Sequence, residues 1–293
     1  MNWEEVDFKL LQELRSDFLS ERPTRRNYWS SRNVLEHYDL TFGARIRWKW
    51  DSVCEELSTR WALPENLPWI LDWGCGTGGA LRAFLSNVNV PSGVQCYLSD
   101  RSPLAVEVAS QKFREDCPGR DVKVIGSGDI PEGSGLVLLS HVQTELLDRD
   151  ALKIRKFLSA QEAFIWVEPG TPDCSRTLVD LREAFRYQFH CVAPCPHESK
   201  CGLVSQKEWR DWCHHFAKVP NEVFQHRGWR KWSEALRIDL RSLPVSYLAM
   251  SRSPNGILRP EEKRVLGRPR HYKGMSKWLM CSEGGVAEEI RRE

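Results

Sequence analysis

The first candidate binding site along the chain is a glycine-rich turn with the sequence Ile-Leu-Asp-Trp-Gly-Cys-Gly-Thr-Gly-Gly over residues 70–79. An apolar strand that ends at Asp72 and runs into Gly74, Gly76 and Gly78 lets the backbone approach a ligand that any Cβ would obstruct. The same letters satisfy a dinucleotide fingerprint through Gly74, Gly76 and Gly79. Glycine spacing alone therefore leaves S-adenosylmethionine and NAD both open.

The acidic residues near the turn favour S-adenosylmethionine. Asp72 stands two residues before the first glycine, where a carboxylate can orient the cationic methionine end of that cofactor. Asp100 follows the next predicted strand and can accept both ribose hydroxyls. Asp129, after the third strand, is a weaker candidate for the adenine side. The predicted S-adenosylmethionine site comprises Asp72, Gly74, Gly76, Gly78, Asp100 and Asp129, and the alternative is a degenerate turn that binds nothing.

A late group of cysteines is the second candidate site. Cys195 and Cys201 form a C-x5-C pair, Cys213 follows after eleven more residues and Cys281 after another sixty-seven. Structural zinc sites favour shorter C-x2-4-C knuckles, and four thiolates on wide loops suit a [4Fe-4S] cluster equally well. Spacing alone leaves zinc, a cluster and unconnected buried thiols open. On the zinc alternative, further ligands are available from His197, His214 and His215.

A catalytic signature is missing from the segment after the fourth predicted strand. Enzymes that methylate bases usually carry an Asn-Pro-Pro-Tyr-like clamp or a cysteine nucleophile there. This chain has Ser-His-Val-Gln-Thr-Glu over residues 140–145. His141 is a possible base, but a histidine at a strand end is more often a local hydrogen-bonding residue. A lone cysteine, Cys174, follows the fifth strand without a partner cysteine, so no catalytic residue is assigned.

Alternating apolar runs and amphipathic stretches predict the α/β elements that would position these residues. A Rossmann-like, class I methyltransferase fold accounts for the pattern. The predicted strands are Trp69–Trp73, Val94–Ser99, Val122–Ile125, Leu136–Ser140, Ala163–Val167 and Val245–Ser251.

The predicted organisation has four parts. Residues 1–62 form an N-terminal helical arm, and residues 63–293 form the methyltransferase-like domain. That domain carries a cysteine-rich insertion at about 190–235, before the last strand, and a basic C-terminal extension at about 256–293. The stretch Arg-Ile-Arg-Trp-Lys-Trp at 45–50 either packs the arm on the core or faces RNA.

Composition bounds the class of protein. The chain has 293 residues, 41% hydrophobic and 28% charged, and no apolar run near the roughly 20 residues that span a bilayer. A net charge of +2 makes nucleic-acid binding a question of local patches. The acidic N-terminus lacks the features of a signal or transit peptide, so a cytoplasmic, bacterial-type location is expected. Ten cysteines in such a compartment are thiols or metal ligands rather than disulfides.

Several segments together resemble the methyltransferase-like family of mitochondrial small-ribosomal-subunit proteins and their bacterial relatives. The resemblance covers about residues 30–283, and its most specific part is a Pro-Cys-Pro-His segment at 194–197 that follows the Glu-Pro-Gly-Thr-Pro turn at 168–172. It also includes the glycine turn, Leu-Leu-Ser-His-Val at 138–142 and Trp-Cys-His-His-Phe at 212–216.

The resemblance implies an rRNA-binding factor of small ribosomal subunit assembly or translation that binds S-adenosylmethionine and an iron–sulfur cluster. Its cluster ligands correspond here to Cys195, Cys201, Cys213 and Cys281. We expect RNA contacts from the basic tail, namely Arg264, Arg268, Arg270 and Lys273, with the Trp48 region beside them. The expected partner is small-subunit rRNA or a subunit precursor, with no membrane, and the expected state is a monomer. An active rRNA methyltransferase is the first alternative, and a zinc-stapled small-molecule methyltransferase is the second.

Overall fold

The computed structural model describes residues 1–19, 29–146, 148–204, 211–254 and 261–292, without the side chains of residues 148 and 149. In these ranges, none of the helices combines the length and apolar character that a membrane span needs.

The N-terminal region is helical, as the apolar spacing predicts. It contains α1 (Phe8–Leu19), α2 (Arg32–Tyr38), a π-helical turn (Asp39–Gly43) and α3 (Ala44–Arg60). Leu11 and Leu14 of α1 are buried, and α1 packs on a later helix near residue 229. The arm is therefore part of the packed protein rather than a separate extension.

The centre is a mixed sheet whose strands follow the order β3-β2-β1-β4-β5-β8-β6, with a short strand, β7, beside β8. The neighbours from β3 to β5 pair in parallel, whereas β8 is antiparallel to both β5 and β6. The strands are β1 (Trp69–Trp73), β2 (Gln95–Ser99), β3 (Val122–Val124), β4 (Leu136–Ser140), β5 (Ala163–Pro169), β6 (His190–Ala193), β7 (His215–Phe216) and β8 (Pro244–Ser251). All six predicted strands are confirmed to within about one or two residues at each end.

Helices cover both faces of the sheet, which explains why the strands read as continuous apolar runs. Neighbours along β1 show this, because Ile70 packs on one face and Leu71 on the other, both fully buried. The helices that complete the domain are α4 (Gly79–Asn87), α5 (Pro103–Asp116), α6 (Asp148–Leu158), α7 (Pro172–Phe185), α8 (Glu222–Gln225) and α9 (Arg227–Leu236), with a 3-10 turn at Gln143–Glu145.

Strand β6 differs from the sequence prediction. The sequence places residues 190–193 at the start of the cysteine-rich insertion, but in the structure they form an edge strand of the central sheet. The cysteine segment follows β6 and precedes β8, so it does enter before the last strand of the sheet.

The basic tail forms a second sheet, which charge alone did not predict. Its four antiparallel strands are β9 (Arg264–Val265), β10 (Arg270–Tyr272), β11 (Met275–Ser282) and β12 (Gly285–Arg292). A Cβ on Gly202 would lie 2.6 Å from the backbone nitrogen of Val286, so the cysteine segment passes directly against this C-terminal sheet.

Candidate functional site

The glycine turn adopts the conformation that its sequence requires. Gly74, Gly76 and Gly78 have φ angles of 70°, 51° and 75°, in the left-handed region that favours glycine. The backbone nitrogens of Gly74 and Cys75 donate to the carbonyl oxygen of Ser99 at 2.8 and 3.0 Å, which fixes the turn to the end of β2. The turn then leads straight into α4, so its backbone faces the carboxyl edge of the sheet.

Asp72 lies fully buried at the end of β1. Its Oδ2 accepts a hydrogen bond from the Leu81 nitrogen at 3.1 Å, while its buried Oδ1 has no hydrogen-bond partner in the described protein. Burial raises the pKa of Asp72 to about 7, and the charge of Asp100 adds to the rise. A cationic ligand group at Oδ1 would satisfy the free oxygen and stabilise the ionised form.

The other two predicted acids have different surroundings. Asp100 accepts from the Gly76 nitrogen through Oδ2 and from the Ser102 nitrogen through Oδ1, each at 2.9 Å. It therefore anchors the glycine turn and keeps further lone pairs for a ribose. Asp129 is exposed and accepts from the Gly126 nitrogen at 3.1 Å within its own turn. The Ser99 hydroxyl donates to the Gly126 carbonyl at 3.1 Å, which links that turn to the end of β2.

A buried polar group at the ends of β4 and β5 was not predicted as a unit. The Lys49 Nζ lies 3.3 Å from the His141 Nε2, and Trp50 donates to the Ser140 hydroxyl at 2.8 Å. Burial lowers the pKa of Lys49 to about 7, with Arg45 adding to the fall. Burial and the charge of Lys49 lower the pKa of His141 well below its ordinary value.

Glu168 completes this group from the end of β5 and is fully buried. Its Oε1 accepts from the nitrogens of Val142 and Gln143 at 2.9 and 3.0 Å and from Trp166 Nε1 at 2.6 Å. Burial raises its pKa to about 7. The turn after β4 also touches the glycine turn, because a Cβ on Gly74 would lie 2.8 Å from the Val142 Cγ1. The buried polar group thus adjoins the predicted nucleotide site.

Lys49→Met is expected to raise the free energy of unfolding by about 2 kcal/mol near neutral pH. Burying the ionisable amine of Lys49 costs free energy, and an apolar side chain of similar size removes that cost. Between the folded pKa of about 7 and the ordinary value of 10.5, the unfolded chain binds a proton that the folded chain does not. The free energy of unfolding of the wild type therefore falls as the pH drops through that range. The stability gained by Lys49→Met is accordingly largest near neutral pH and becomes small at about pH 10. Urea unfolding at two pH values measures this. The exposed Lys153→Met is the control, and a gain that does not vary with pH would refute the assignment.

The four predicted cysteine ligands come from three parts of the chain and meet beside α7. Cys195 and Cys201 follow β6, Cys213 precedes β7, and Cys281 lies in β11 opposite Arg264 of β9. Cys201 and Cys281 share one apolar cluster, with Cys213 packed against it. Burial raises the pKa of Cys201, Cys213 and Cys281, and the charge of Cys195 is the next cause in each case. Cys195 is thus an electrostatic neighbour of all three.

Arg182 of α7 holds the loop between the first two cysteines. Its side chain is only 2% exposed, and its Nη2 donates to the carbonyls of His197 at 3.0 Å and Ser199 at 2.8 Å. Its neighbour Glu183 accepts from the Cys201 nitrogen at 3.0 Å. A hydrogen bond with Cys191 lowers the pKa of the Cys195 thiol to about 6, and the charge of Arg182 favours the same thiolate. Arg182 thereby supplies positive charge where several thiolates would gather.

The residues that the structure describes contain no group of three or more potential ligands arranged to hold a metal ion. The cluster predicted at these four cysteines therefore stays a prediction. A cubane cluster would take one thiolate on each of its four irons. His197 lies among these cysteines, with Nε2 3.6 Å from the Cys281 sulfur, and its buried Nδ1 has no hydrogen-bond partner among the described residues.

The predicted RNA-binding residues separate into two kinds. The Arg264 guanidinium donates to both Glu56 carboxylate oxygens and to the Tyr247 hydroxyl at 2.7 Å, and its side chain is 17% exposed. It therefore ties the C-terminal sheet to α3 rather than facing solvent. Arg268 stacks on the Phe216 ring at 4.1 Å. Arg270 is half-exposed, and Lys273 lies exposed in the turn between β10 and β11.

The basic-aromatic stretch at 45–50 packs rather than facing a partner. Trp50 is fully buried, and the Trp48 ring lies 5.0 Å from that of Trp229. The Arg45 guanidinium sits over the Trp232 ring and donates to the Ser242 carbonyl at 3.0 Å. Of the two interpretations of this stretch, the structure favours packing of the arm on the core, and the expected Trp48 contact with RNA is dropped.

The strand order with β8 antiparallel between β5 and β6, together with a glycine turn after β1, defines a class I methyltransferase fold. The sequence profile of the family described as mitochondrial small ribosomal subunit Rsm22 matches residues 44–291. The chain belongs to this family, and the predicted resemblance is confirmed. No curated protein sequence gives a significant match.

The solved structures that are similar to this chain share little sequence with it. A structure described as a candidate RNA methyltransferase from Pyrococcus horikoshii is 13% identical, with 85% of this chain and 97% of that chain covered and a TM-score of 0.43. The magnesium protoporphyrin IX methyltransferase of Synechocystis PCC 6803, with bound S-adenosylmethionine, is 17% identical over 85% of this chain and 98% of that chain, with a TM-score of 0.41.

The family description also bears on location. It names a mitochondrial subunit, so the expected cytoplasmic, bacterial-type location is not confirmed.

Proposed function

We propose that this protein binds rRNA during small ribosomal subunit assembly or translation, and that it carries S-adenosylmethionine and a [4Fe-4S] cluster. The observation that supports it most strongly is the family match over residues 44–291, which includes the glycine turn and all four predicted cysteine ligands. On this account the protein acts as a monomer. The cofactor and the cluster rigidify a surface that contacts RNA.

The nucleotide site supports the cofactor part of the proposal. Asp72 offers a buried carboxylate oxygen, without a hydrogen-bond partner in the part of the chain that the structure describes, for the cationic methionine end, and Asp100 lies at the end of the next strand for the ribose. The three glycines with positive φ keep side chains away from the ligand. When bound, S-adenosylmethionine would supply a transferable methyl group.

The cysteine group supports the cluster part. Cys195, Cys201, Cys213 and Cys281 would hold the cluster, which would cross-link the cysteine segment to the C-terminal sheet. Because these two segments are about 70 residues apart, closing that loop chemically would stabilise the fold. Arg182 offsets the negative charge of the thiolates from the α7 side.

Asp72→Asn is expected to weaken S-adenosylmethionine binding about 10- to 100-fold, the range for a hydrogen bond to a charged group. Because the folded pKa of Asp72 is about 7, wild-type affinity should rise as the pH increases through that value and the carboxylate ionises. The same raised pKa makes Asp72 cost stability as pH rises from about 4 to 7, since the unfolded chain ionises first. Titration calorimetry on either side of neutral pH measures the binding effect.

The control for this experiment is Asp180→Asn on the exposed side of α7, which should leave affinity unchanged. Equal affinity of wild type and Asp72→Asn across the pH range would contradict the proposed role of Asp72.

RNA binding is tested by titrating a transcript of the small-subunit rRNA at several salt concentrations. Contacts from Arg268, Arg270 and Lys273 to phosphates release counterions, so affinity should fall steeply with added salt. Binding that is absent or insensitive to salt would contradict the proposal.

A second candidate function, an active rRNA methyltransferase, is favoured by the buried polar group at the end of β4, where base-methylating enzymes display their reactive residues. Methyl transfer needs little covalent help if the acceptor is held in line with the methyl group. Labelled S-adenosylmethionine and purified small-subunit precursors separate the two. Incorporation that Asp72→Asn abolishes indicates an enzyme, and no incorporation into any precursor indicates a binding factor.

A further inference from the structure

A cleft of about 200 Å³ lies between the cysteine segment and the C-terminal sheet. One wall carries Trp212 and His214, whose rings stack with centroids 4.6 Å apart and planes 18° apart. Leu266 and Leu279 add apolar surface, and the charged lining consists of the cations Arg268, Arg270 and Lys277 with the carboxylates Asp211 and Glu288. The cleft thus joins flat aromatic rings to positive charge.

The aromatic wall is held rigidly. Trp212 Nε1 donates to the Gly170 carbonyl at 2.9 Å, which fixes its ring against the end of β5. Gly267 has a φ of 67°, and its nitrogen donates to the His214 carbonyl at 2.8 Å. A Cβ at Gly267 would lie 2.7 Å from the His214 ring, so the backbone passes directly beside that ring. A wall fixed before binding loses little conformational freedom when a ligand enters.

One cation of the lining is available to an anion. The Arg268 guanidinium carbon lies 4.1 Å from the centre of the Phe216 ring, and Arg268 donates to the Arg241 carbonyl at 3.2 Å, a neutral acceptor. Arg270 pairs with Asp211 and, at 3.6 Å, with Glu288, which leaves it 53% exposed. An incoming phosphate can therefore contact Arg268 without displacing a carboxylate from it.

The size of the cleft favours an unpaired base over a base within a duplex. Its volume is below the roughly 300–1,000 Å³ of pockets for drug-sized ligands, which suits one flat ring system. A base inside a duplex is covered on both faces and cannot enter such a cleft. Unpaired RNA bases stack on aromatic side chains while their phosphates contact arginine.

We propose that this cleft binds one unpaired RNA base against Trp212 and His214, with the adjoining phosphate on Arg268. The proposal rests on the RNA-binding part of the proposed function and makes it specific for single-stranded RNA. On this proposal the cysteine segment contacts RNA directly, because Trp212 is adjacent in sequence to Cys213.

The experiment uses the full chain, purified without oxygen, and a fluorescently labelled unstructured RNA oligonucleotide, with a duplex of equal length for comparison. Trp212→Leu and Trp212→Phe both remove the bond to Gly170, but only leucine removes the aromatic face. Trp212→Leu should weaken single-strand binding about 5- to 150-fold, the loss of one stacked base, and Trp212→Phe should stay within about threefold of wild type. Arg268→Gln should reduce the slope of log affinity against log salt concentration by about 0.7, the value for one phosphate of a single strand. Arg114→Gln, at an exposed position on α5, should leave that slope unchanged.

Equal weakening by the leucine and phenylalanine variants would overturn the proposal, as would a wild-type preference for the duplex. Unchanged binding of Trp212→Leu while the wild type still binds rRNA would refute the cleft alone. Loss of all RNA binding by the wild type would instead refute the proposed function. The absorbance spectrum of each variant checks that the neighbouring Cys213 site is intact.

Discussion

Cys195→Ser is expected to remove essentially all iron and acid-labile sulfide from protein purified without oxygen, together with its brown colour. The charge of Cys195 contributes to the raised pKa of each of the other three proposed ligands. The pKa of Cys195 itself is lowered by its hydrogen bond with Cys191 and by the charge of Arg182. Without this thiolate, one iron of the proposed cluster would lack a protein ligand. Metal analysis and the visible absorbance spectrum measure the loss.

The matched control is Cys191→Ser. Cys191 lies in β6 and is 4% exposed, and we assign it as the hydrogen-bond partner of Cys195 rather than as a ligand, a role that a serine hydroxyl can keep. Its serine variant should keep iron and sulfide. An unchanged spectrum in Cys195→Ser, or a colourless wild-type protein that contains zinc, would contradict the proposed cluster.

Arg264→Met is expected to lower the free energy of unfolding by about 3 kcal/mol, because it leaves the part-buried Glu56 carboxylate with Arg60 as its remaining ion-pair partner among the described residues. Burial alone would raise the pKa of Glu56, yet the hydrogen bond and charge of Arg264 hold that pKa below its ordinary value. The stability that this pair contributes is present above the ordinary pKa of Glu56 and is lost as pH falls below it. Chemical unfolding of the variant measures the loss.

Arg270→Met, in the same basic tail, is the comparison. Its ion pairs are half-exposed, so the expected loss is below about 1 kcal/mol. The two variants should also differ in RNA binding, with Arg270→Met reducing the salt slope and Arg264→Met leaving it unchanged. Equal destabilisation by both would show that Arg264 does not hold the C-terminal sheet on α3.

The sequence predicted the central sheet well because burial on both faces makes its strands uniformly apolar. Leu136–Ser140 and Ala163–Pro169 are examples, since nearly every side chain in them is buried. Strand β6 escaped prediction because it has only four residues and a register shift between Cys191 and Ala193. The C-terminal sheet escaped because β10 and β12 are largely exposed, so charge masks the alternation that marks a strand.

The site shows the same division between local and long-range information. Asp72 and the glycines were found because their roles depend on neighbours in sequence. Lys49 was not singled out, since only the fold carries α3 to the end of β4, where it meets His141. Arg264 was assigned to RNA on charge alone, because its partner Glu56 lies more than 200 residues earlier. Cys281 was grouped with the other three cysteines along the sequence, and its correspondence to a fourth cluster ligand came from the family resemblance.

We expect this methyltransferase-like protein to bind the small ribosomal subunit. Sedimentation of the anaerobically purified protein with isolated small and large ribosomal subunits, and with small-subunit precursors, at low and moderate salt measures this binding. The protein should sediment with the small subunit or its precursors, be released as salt increases, and stay in the supernatant with the large subunit. Sedimentation with neither subunit, or equally with both, would contradict this expectation.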